Sequence, residues 1–384
     1  MKILLLFLLM INLEAGSVVK KISIVETNNK HTILGKNHVS IYAGNISQLK
    51  KLKRYIEDHG FPKLKSTSDL EFIKKSMKWV TSQWKHNGWN QPPSDYTALD
   101  ILKKVHKADE QYRCVEYGIV LTEILQAHGF LARTISVQSH DVAYGGFGKG
   151  HVASEIWSNE LSKWLFFDPQ FGVYISNENG VPLSFHEIYR VYKNKGWSDL
   201  NINTLIKNVS GSKPKQYKTF IANYFGYMKV KIGEDDISLG LDANKPTLTF
   251  QGLPKPLGIF TKDTEIVYSD VNKVTMVFDY DYEKPNYREI FKDLGKVKES
   301  ELPQKFKEML PDVAAKPLFI INLKNNIPNF SHYEYRFDNT TKWTKLHKDK
   351  LSWKALNSKN IINIRGVNTL GRAGVTTYMR LDYK

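Results

Sequence analysis

The apolar positions of the chain follow two periods. Helical spacing dominates the N-terminal third, and alternation dominates most of the remainder. Residues 47–59 mix charged and apolar positions and stop at Gly60-Phe61-Pro62, which predicts a charged helix. A second helix is better marked: Ser68 and Asp69 offer caps, Glu71 suits a capping box, and Leu70, Ile73, Met77 and Val80 share a face. It runs into Trp84 and ends by Gly88, and residues 91–95 form a loop before a short helix with Ala98, Leu99, Ile101, Leu102 and Val105. From Cys114 to His128, Val115, Ile119, Leu121, Ile124 and Leu125 fit one helix face, and Gly129 is a C-terminal stop. Residues 131–137 then read as a strand, and 139–150 as a polar loop with glycines at 145, 146, 148 and 150. Residues 151–157 read as a second strand, 158–163 as a hairpin turn, and 164–167 as a third strand ending at Asp168-Pro169.

The flanks are less regular. Residues 18–19 and 22–25 are strand-like, 201–208 predict one more helix, and 209–215 read as a linker. Short strands are expected at 228–232, 247–250, 265–268 and 274–280, and a charged connection with some helix at 287–310. Strands at 318–323, 333–337, 361–367 and 376–383 follow, with a turn over 368–371, in a pattern that suits an immunoglobulin- or fibronectin-type β-sandwich. No tandem repeat is evident. The expected organisation is a signal peptide (1–16), an N-terminal extension (17–65), a catalytic-type α+β domain (66–210), a β-rich domain (216–286), a connecting segment (287–316) and a C-terminal β domain (317–384).

Composition narrows the classes. The 384 residues and 41% hydrophobic content allow more than one real core. Met1-Lys2, the unbroken apolar run of residues 3–11 and the small residues within 12–17 make a signal peptide too short to span a bilayer. The expected location is therefore secreted or periplasmic, with no membrane span. The net charge of +16 comes mostly from scattered Lys. No Arg-rich helix, finger spacing or aromatic-basic motif accompanies it, so no nucleic-acid partner is expected.

The chain has one cysteine. An unpaired thiol in an exported protein asks for a chemical reason. Cys114 opens a predicted helix, whose N-terminal partial positive charge favours the thiolate. His151 begins the strand after the polar loop and can act as base. Asp168 ends the next strand of the same hairpin and can orient the imidazole.

These residues carry a family resemblance. Cys114 at a helix start is followed by Gly129-Phe130-Leu131-Ala132-Arg133, then His151-Val152-Ala153-Ser154-Glu155-Ile156-Trp157, then Trp164-Leu165-Phe166-Phe167-Asp168-Pro169. This order resembles the transglutaminase-like superfamily over about residues 66–175, including the upstream Tyr96-Thr97-Ala98-Leu99-Asp100-Ile101-Leu102. Arg113-Cys114-Val115-Glu116-Tyr117 is locally similar to the peptide N-glycanase branch. The resemblance implies a papain-like α+β core, the nucleophile helix packed on an antiparallel sheet, with β-sandwich-like domains behind it. It also implies a Cys114-His151-Asp168 triad working through a thioester.

Other candidates follow from position. Gln83 and Trp84 (with Trp89) are substrate or oxyanion candidates upstream of the nucleophile, beside the Cys114 backbone N–H. Glu116 is a candidate for the same site, and Arg133 is expected in a structural ion pair. The glycine-rich loop forms a rim beside His151. No metal or cofactor is expected: His128, His140 and His186 lack zinc spacing, while Asp235-Asp236 and Asp279/Asp281 leave calcium as an alternative. The expected activity is hydrolysis of a protein, peptide or cell-wall peptide amide. The alternatives are glutamine–amine cross-linking and a non-catalytic surface-binding or scaffold role. Oligomeric state is not legible.

Overall fold

A computed structural model describes residues 21–31, 44–62, 68–140, 148–232, 235–241, 259–280, 286–313 and 317–384. The expected signal peptide, the expected strand at 247–250 and most of the glycine-rich loop lie outside them. The chain is mixed α+β, with antiparallel sheets and one parallel pairing among the described strands.

After strand β1 (Ile22–Thr27), four helices follow: α1 (Ile46–Asp58), α2 (Asp69–Thr81), α3 (Ala98–Ala108) and α4 (Cys114–Ala127). Local chemistry sets their ends. The Asn45 carboxamide oxygen accepts the N–H groups of Ser47 and Gln48, and Ser68 Oγ accepts that of Glu71. Thr97 and Asp100 form a reciprocal capping box at α3. Gly129 follows α4 with φ of 81°, a conformation that costs glycine least.

The helices lie on a sheet ordered β6-β5-β4-β3-β2-β7-β8-β9. Its strands are β2 (Ala132–Gln138), β3 (Gly150–Ser158), β4 (Lys163–Asp168), β5 (Val173–Asn177), β6 (Leu200–Thr204), β7 (Tyr227–Ile232), β8 (Asp235–Gly240) and β9 (Ile259–Thr261). Between them run α5 (Phe185–Lys195) and α6 (Pro214–Ala222), and α7 (Thr264–Val267) follows β9. Both faces of the sheet are covered, which explains the unbroken apolar text of β4. Leu165 and Phe167 join the core under α1–α4, whereas Trp164 and Phe166 join a second core with residues of α5 and α6.

The remaining strands are β10 (Val274–Tyr280), β11 (Leu318–Asn325), β12 (Phe330–Phe337), β13 (Thr344–Leu346), β14 (Lys350–Lys354), β15 (Lys359–Asn368) and β16 (Thr377–Tyr383). They form two sheets, β1-β16-β15-β12-β13 and β10-β11-β14. Met276, Ile321, Leu323 and Trp353 of one pack on Ile362, Ile364, Met379 and Leu381 of the other, so the pair is a sandwich with one core.

Several expectations are corrected. The segment 216–286 is not a separate β domain: β7, β8 and β9 extend the sheet of β2–β6, and β10 opens the sandwich. The N-terminal extension is divided too, since β1 pairs with β16 while α1 joins the helical layer. Residues 201–208 form β6 and a turn instead of a helix, because pairing with β5 outweighs local propensity. Residues 264–267 are helical, started by Asp263, whose carboxylate accepts the Glu265 N–H. Part of the expected linker, from Pro214, is the first turn of α6. The charged connection holds the helices α8 (Tyr287–Ile290) and α9 (Leu302–Val313). Asn368 Nδ2 donates to Gly129 O (3.0 Å), and Arg372 pairs with Asp69 while its guanidinium covers the Phe130 ring, joining the sandwich to the α+β unit.

Candidate active site

Helix α4 must approach β3 closely for its first residue to meet the start of that strand. Gly118, one turn after Cys114, permits this: a Cβ there would lie 2.8 Å from Val152 Cγ1. Ser154 Oγ donates to Gly118 O at 3.2 Å, tying helix to strand at the same level. The turn before the helix is fixed by Glu116, a buried carboxylate. Its Oε2 accepts the Arg113 N–H (3.0 Å), and Oε1 accepts Arg113 Nη2 (2.8 Å). Arg113 Nη1 in turn donates to Gln91 Oε1 (2.8 Å).

The hairpin β3–β4 supplies the other two groups. Its register pairs Ser154 with Phe167. One step further sets Asp168 opposite Ala153, so His151 and Asp168 are diagonal neighbours on one face. His151 Nε2 and Asp168 Oδ2 are 2.7 Å apart, with side chains 3% and 0% exposed. Nδ1 is the nitrogen that Asp168 leaves unused, and His151 and the Val152 N–H are the neighbours that act on the half-buried thiol of Cys114. Burial pushes the thiol up, but the bond to His151, that residue's charge and the Val152 N–H outweigh it and leave the thiol below its ordinary value. Burial pushes the imidazole down, yet the charge and hydrogen bond of Asp168, with help from the thiol, raise it to about 10. Both directions favour a thiolate–imidazolium pair.

Around the imidazole stand three aromatic rings: Phe220 edge-on at 5.0 Å, Phe171 at 5.8 Å and Tyr224 at 6.0 Å between centroids. They shield the His151–Asp168 bond from water, which strengthens it. Tyr217 Oη donates to Asp168 Oδ2 at 2.8 Å, and the Gln170 N–H reaches Oδ1 at 3.2 Å.

The structure thus brings Cys114, His151 and Asp168 together. It spends Glu116 on Arg113, where it shapes the helix entry. It turns Gln83 away, since Gln83 Nε2 donates to Trp79 O (2.8 Å) and Oε1 meets His106 Nε2 (2.9 Å). The Trp84 ring stacks on Tyr117 with centroids 4.2 Å apart, and Tyr117 Oη donates to Trp84 O (2.6 Å). The Trp84 indole N–H is buried with no hydrogen-bond partner among the described residues. Trp89 is exposed. Asp236 is paired with Lys229 at 2.8 Å, and no group of three or more His, Cys, Asp or Glu suited to a metal occurs among the described residues. No helix among them is long and apolar enough to cross a membrane.

Sequence reasoning missed Tyr217, the aromatic wall and the Val152 N–H. The first had a signal: Tyr217, Phe220, Ile221 and Tyr224 recur at helical spacing after Pro214. The Gly-Ser-Lys-Pro text before them masked it.

No family model matches the chain, and no curated protein matches it. Among solved structures, one described as "a Putative Cysteine Protease from Cytophaga hutchinsonii" is 13% identical, covering 48% of this chain and 58% of its own, with a TM-score of 0.28. A red sea bream transglutaminase is 10% identical, covering 90% and 57%, with a TM-score of 0.24. The chain spans under three fifths of either neighbour's length. Likeness at this level decides neither fold nor activity.

Proposed function

We propose that the protein is an exported, transglutaminase-like cysteine hydrolase that cleaves peptide or carboxamide bonds through a Cys114-His151-Asp168 triad. One observation carries the reading: a buried imidazole held at 2.7 Å by a buried carboxylate lies beside the chain's one thiol, at a helix N-terminus, and its charge lowers that thiol. Export is inferred from the apolar run near the N-terminus.

The chemistry follows from the protonation states. Cys114 thiolate attacks the carbonyl carbon, and the Cys114 backbone N–H at the helix start stabilises the oxyanion. The C–N bond then breaks as His151 Nδ1–H passes its proton to the leaving amine, leaving an acyl thioester on Cys114. Neutral His151 takes a proton from water, whose hydroxide equivalent attacks the thioester, breaks the C–S bond, releases the acid and restores the thiolate–imidazolium pair. Asp168 holds the imidazole by Nε2 throughout. Water is the favoured acceptor because it is always present.

Two measurements test this. Cys114 should take up iodoacetamide near pH 6 much faster than a free peptide thiol. An equal rate means that the nucleophile is not activated, and leaves the surface-binding or scaffold alternative. With a casein-type substrate and a labelled amine, the expected products are ammonia or new termini without incorporation, all lost in Cys114→Ala. Incorporation that depends on Cys114 would instead identify a cross-linking transferase.

A further inference from the structure

Asp168 sits in an unusual position for a charge. It is completely buried, and burial alone disfavours an ionised carboxylate. Three donors compensate: His151 Nε2 and Tyr217 Oη both reach Oδ2, at 2.7 and 2.8 Å, and the Gln170 N–H reaches Oδ1 at 3.2 Å. The imidazole therefore shares its carboxylate oxygen with a phenol.

We propose that Tyr217 is a positioning residue of the triad, which holds the Asp168 carboxylate aimed at His151. The proposal rests on the triad reading above.

The placement of Tyr217 suits this role. Its backbone N–H bonds to Lys213 O at 2.9 Å in the first turn of α6, where Pro214 already fixes φ. Its ring is wholly buried, edge-on to Phe171 at 5.4 Å and beside Phe220 at 6.2 Å. A buried phenol needs an acceptor for its proton, and Asp168 is the one within reach. Burial and the Asp168 charge push the Tyr217 hydroxyl well above its ordinary value, so it stays a donor throughout the working range.

The hydroxyl turns the positive end of its dipole toward the site. Removing it makes the local potential more negative, which raises the proton affinity of His151 and Cys114 together. Tyr217→Phe keeps the ring and its packing and deletes only this donor. In the full-length chain, the pH dependence of iodoacetamide uptake and of thiolate absorbance near 240 nm reads the Cys114 end of the ion pair without any substrate. The pH profile of amide turnover reads the His151 end. Tyr217→Phe should move both limbs toward alkaline pH by about half a unit to one unit. Turnover at the optimum should fall about tenfold with KM unchanged, because Asp168 is aimed less firmly.

The outcomes separate cleanly. A wild-type thiol that titrates like a free one overturns the triad reading itself. A depressed wild-type thiol whose profile coincides with that of a folded Tyr217→Phe overturns the role of Tyr217 alone, including the case where only the melting temperature falls. A parallel alkaline shift of both limbs supports it.

Discussion

Two buried ion pairs lie on the same face of the central sheet, four positions apart along β3, and serve opposite ends. Arg133 and Glu155 are 3% and 0% exposed, like His151 and Asp168. Every useful valence of the first pair is taken within the fold. Glu155 Oε2 accepts Arg133 Nε (3.1 Å) and Nη2 (2.6 Å), while Oε1 accepts the Phe185 N–H and Tyr268 Oη, both at 2.9 Å. Arg133 Nη1 donates to Val267 O (2.7 Å), and the guanidinium lies 4.1 Å from the Trp164 ring centroid. Arginine cannot give up its proton, so this pair only fastens strands and helices together. In the second pair the cation is an imidazole, which can lose its proton, and one nitrogen faces a half-buried thiol. Equal burial thus yields a rivet in one case and a candidate reactive site in the other. The difference lies in titratability and in one nitrogen that Asp168 leaves unused beside a half-buried thiol.

Asp168→Asn should separate the pairs most sharply. The side chain keeps its volume, so the protein should fold. Without the negative charge His151 loses the support that lifts it to about 10, and the ion pair gives way to the neutral thiol and imidazole. The alkaline limit of the ion pair falls, and amide turnover should fall on the order of 10³-fold. A profile like the wild type's would mean that Asp168 does not control the imidazole.

Arg133→Met should do the converse. It leaves Glu155 buried without its cation and should cost about 3–5 kcal/mol of stability by denaturant unfolding. The iodoacetamide reactivity of the protein that remains folded should be unchanged. Loss of reactivity in step with stability would show that the two pairs are one coupled network.

A smaller effect concerns Glu123, on α4 but outside both pairs. Its Oε2 accepts the Ala98 N–H at 3.0 Å and so caps α3. Burial raises it to about 7 against the lowering by that N–H, and Asp100 raises it further. A carboxyl raised in the folded state binds its proton more tightly there than when unfolded. Its contribution is full below the ordinary carboxyl range and is lost as pH rises through about 7. Glu123→Gln removes this dependence while keeping an acceptor. Its melting temperature, relative to wild type, should rise between pH 5 and pH 8 by about 2–4 °C. A constant difference would show that Glu123 does not titrate in that range.

Much of the site was legible because its parts are local. Cys114 at a helix start and His151 and Asp168 at strand ends follow from apolar periodicity and turn residues, which depend on neighbours a few positions away. The roles of Gln83 and Glu116 were not legible in the same way. Both are polar residues that precede or follow Cys114 in sequence, and only their hydrogen bonds show that one serves the end of α2 and the other the entry to α4. Tyr217 lies far along the chain from Asp168, and nothing in its own neighbourhood announces which carboxylate it meets.

The sequence by itself determined which segments are helix or strand around Cys114, where those elements stop, and which side chains could do chemistry. Tertiary structure alone decided that β7–β9 belong to the central sheet, that β1 closes a sandwich with the far C-terminal strand, and that a phenol shares the Asp168 carboxylate with His151. The reason is physical. Element type is set by short-range backbone sterics and hydrophobic period, whereas strand pairing and buried polar contacts are chosen by competition among segments distant in sequence, and the winner is fixed only when the core closes.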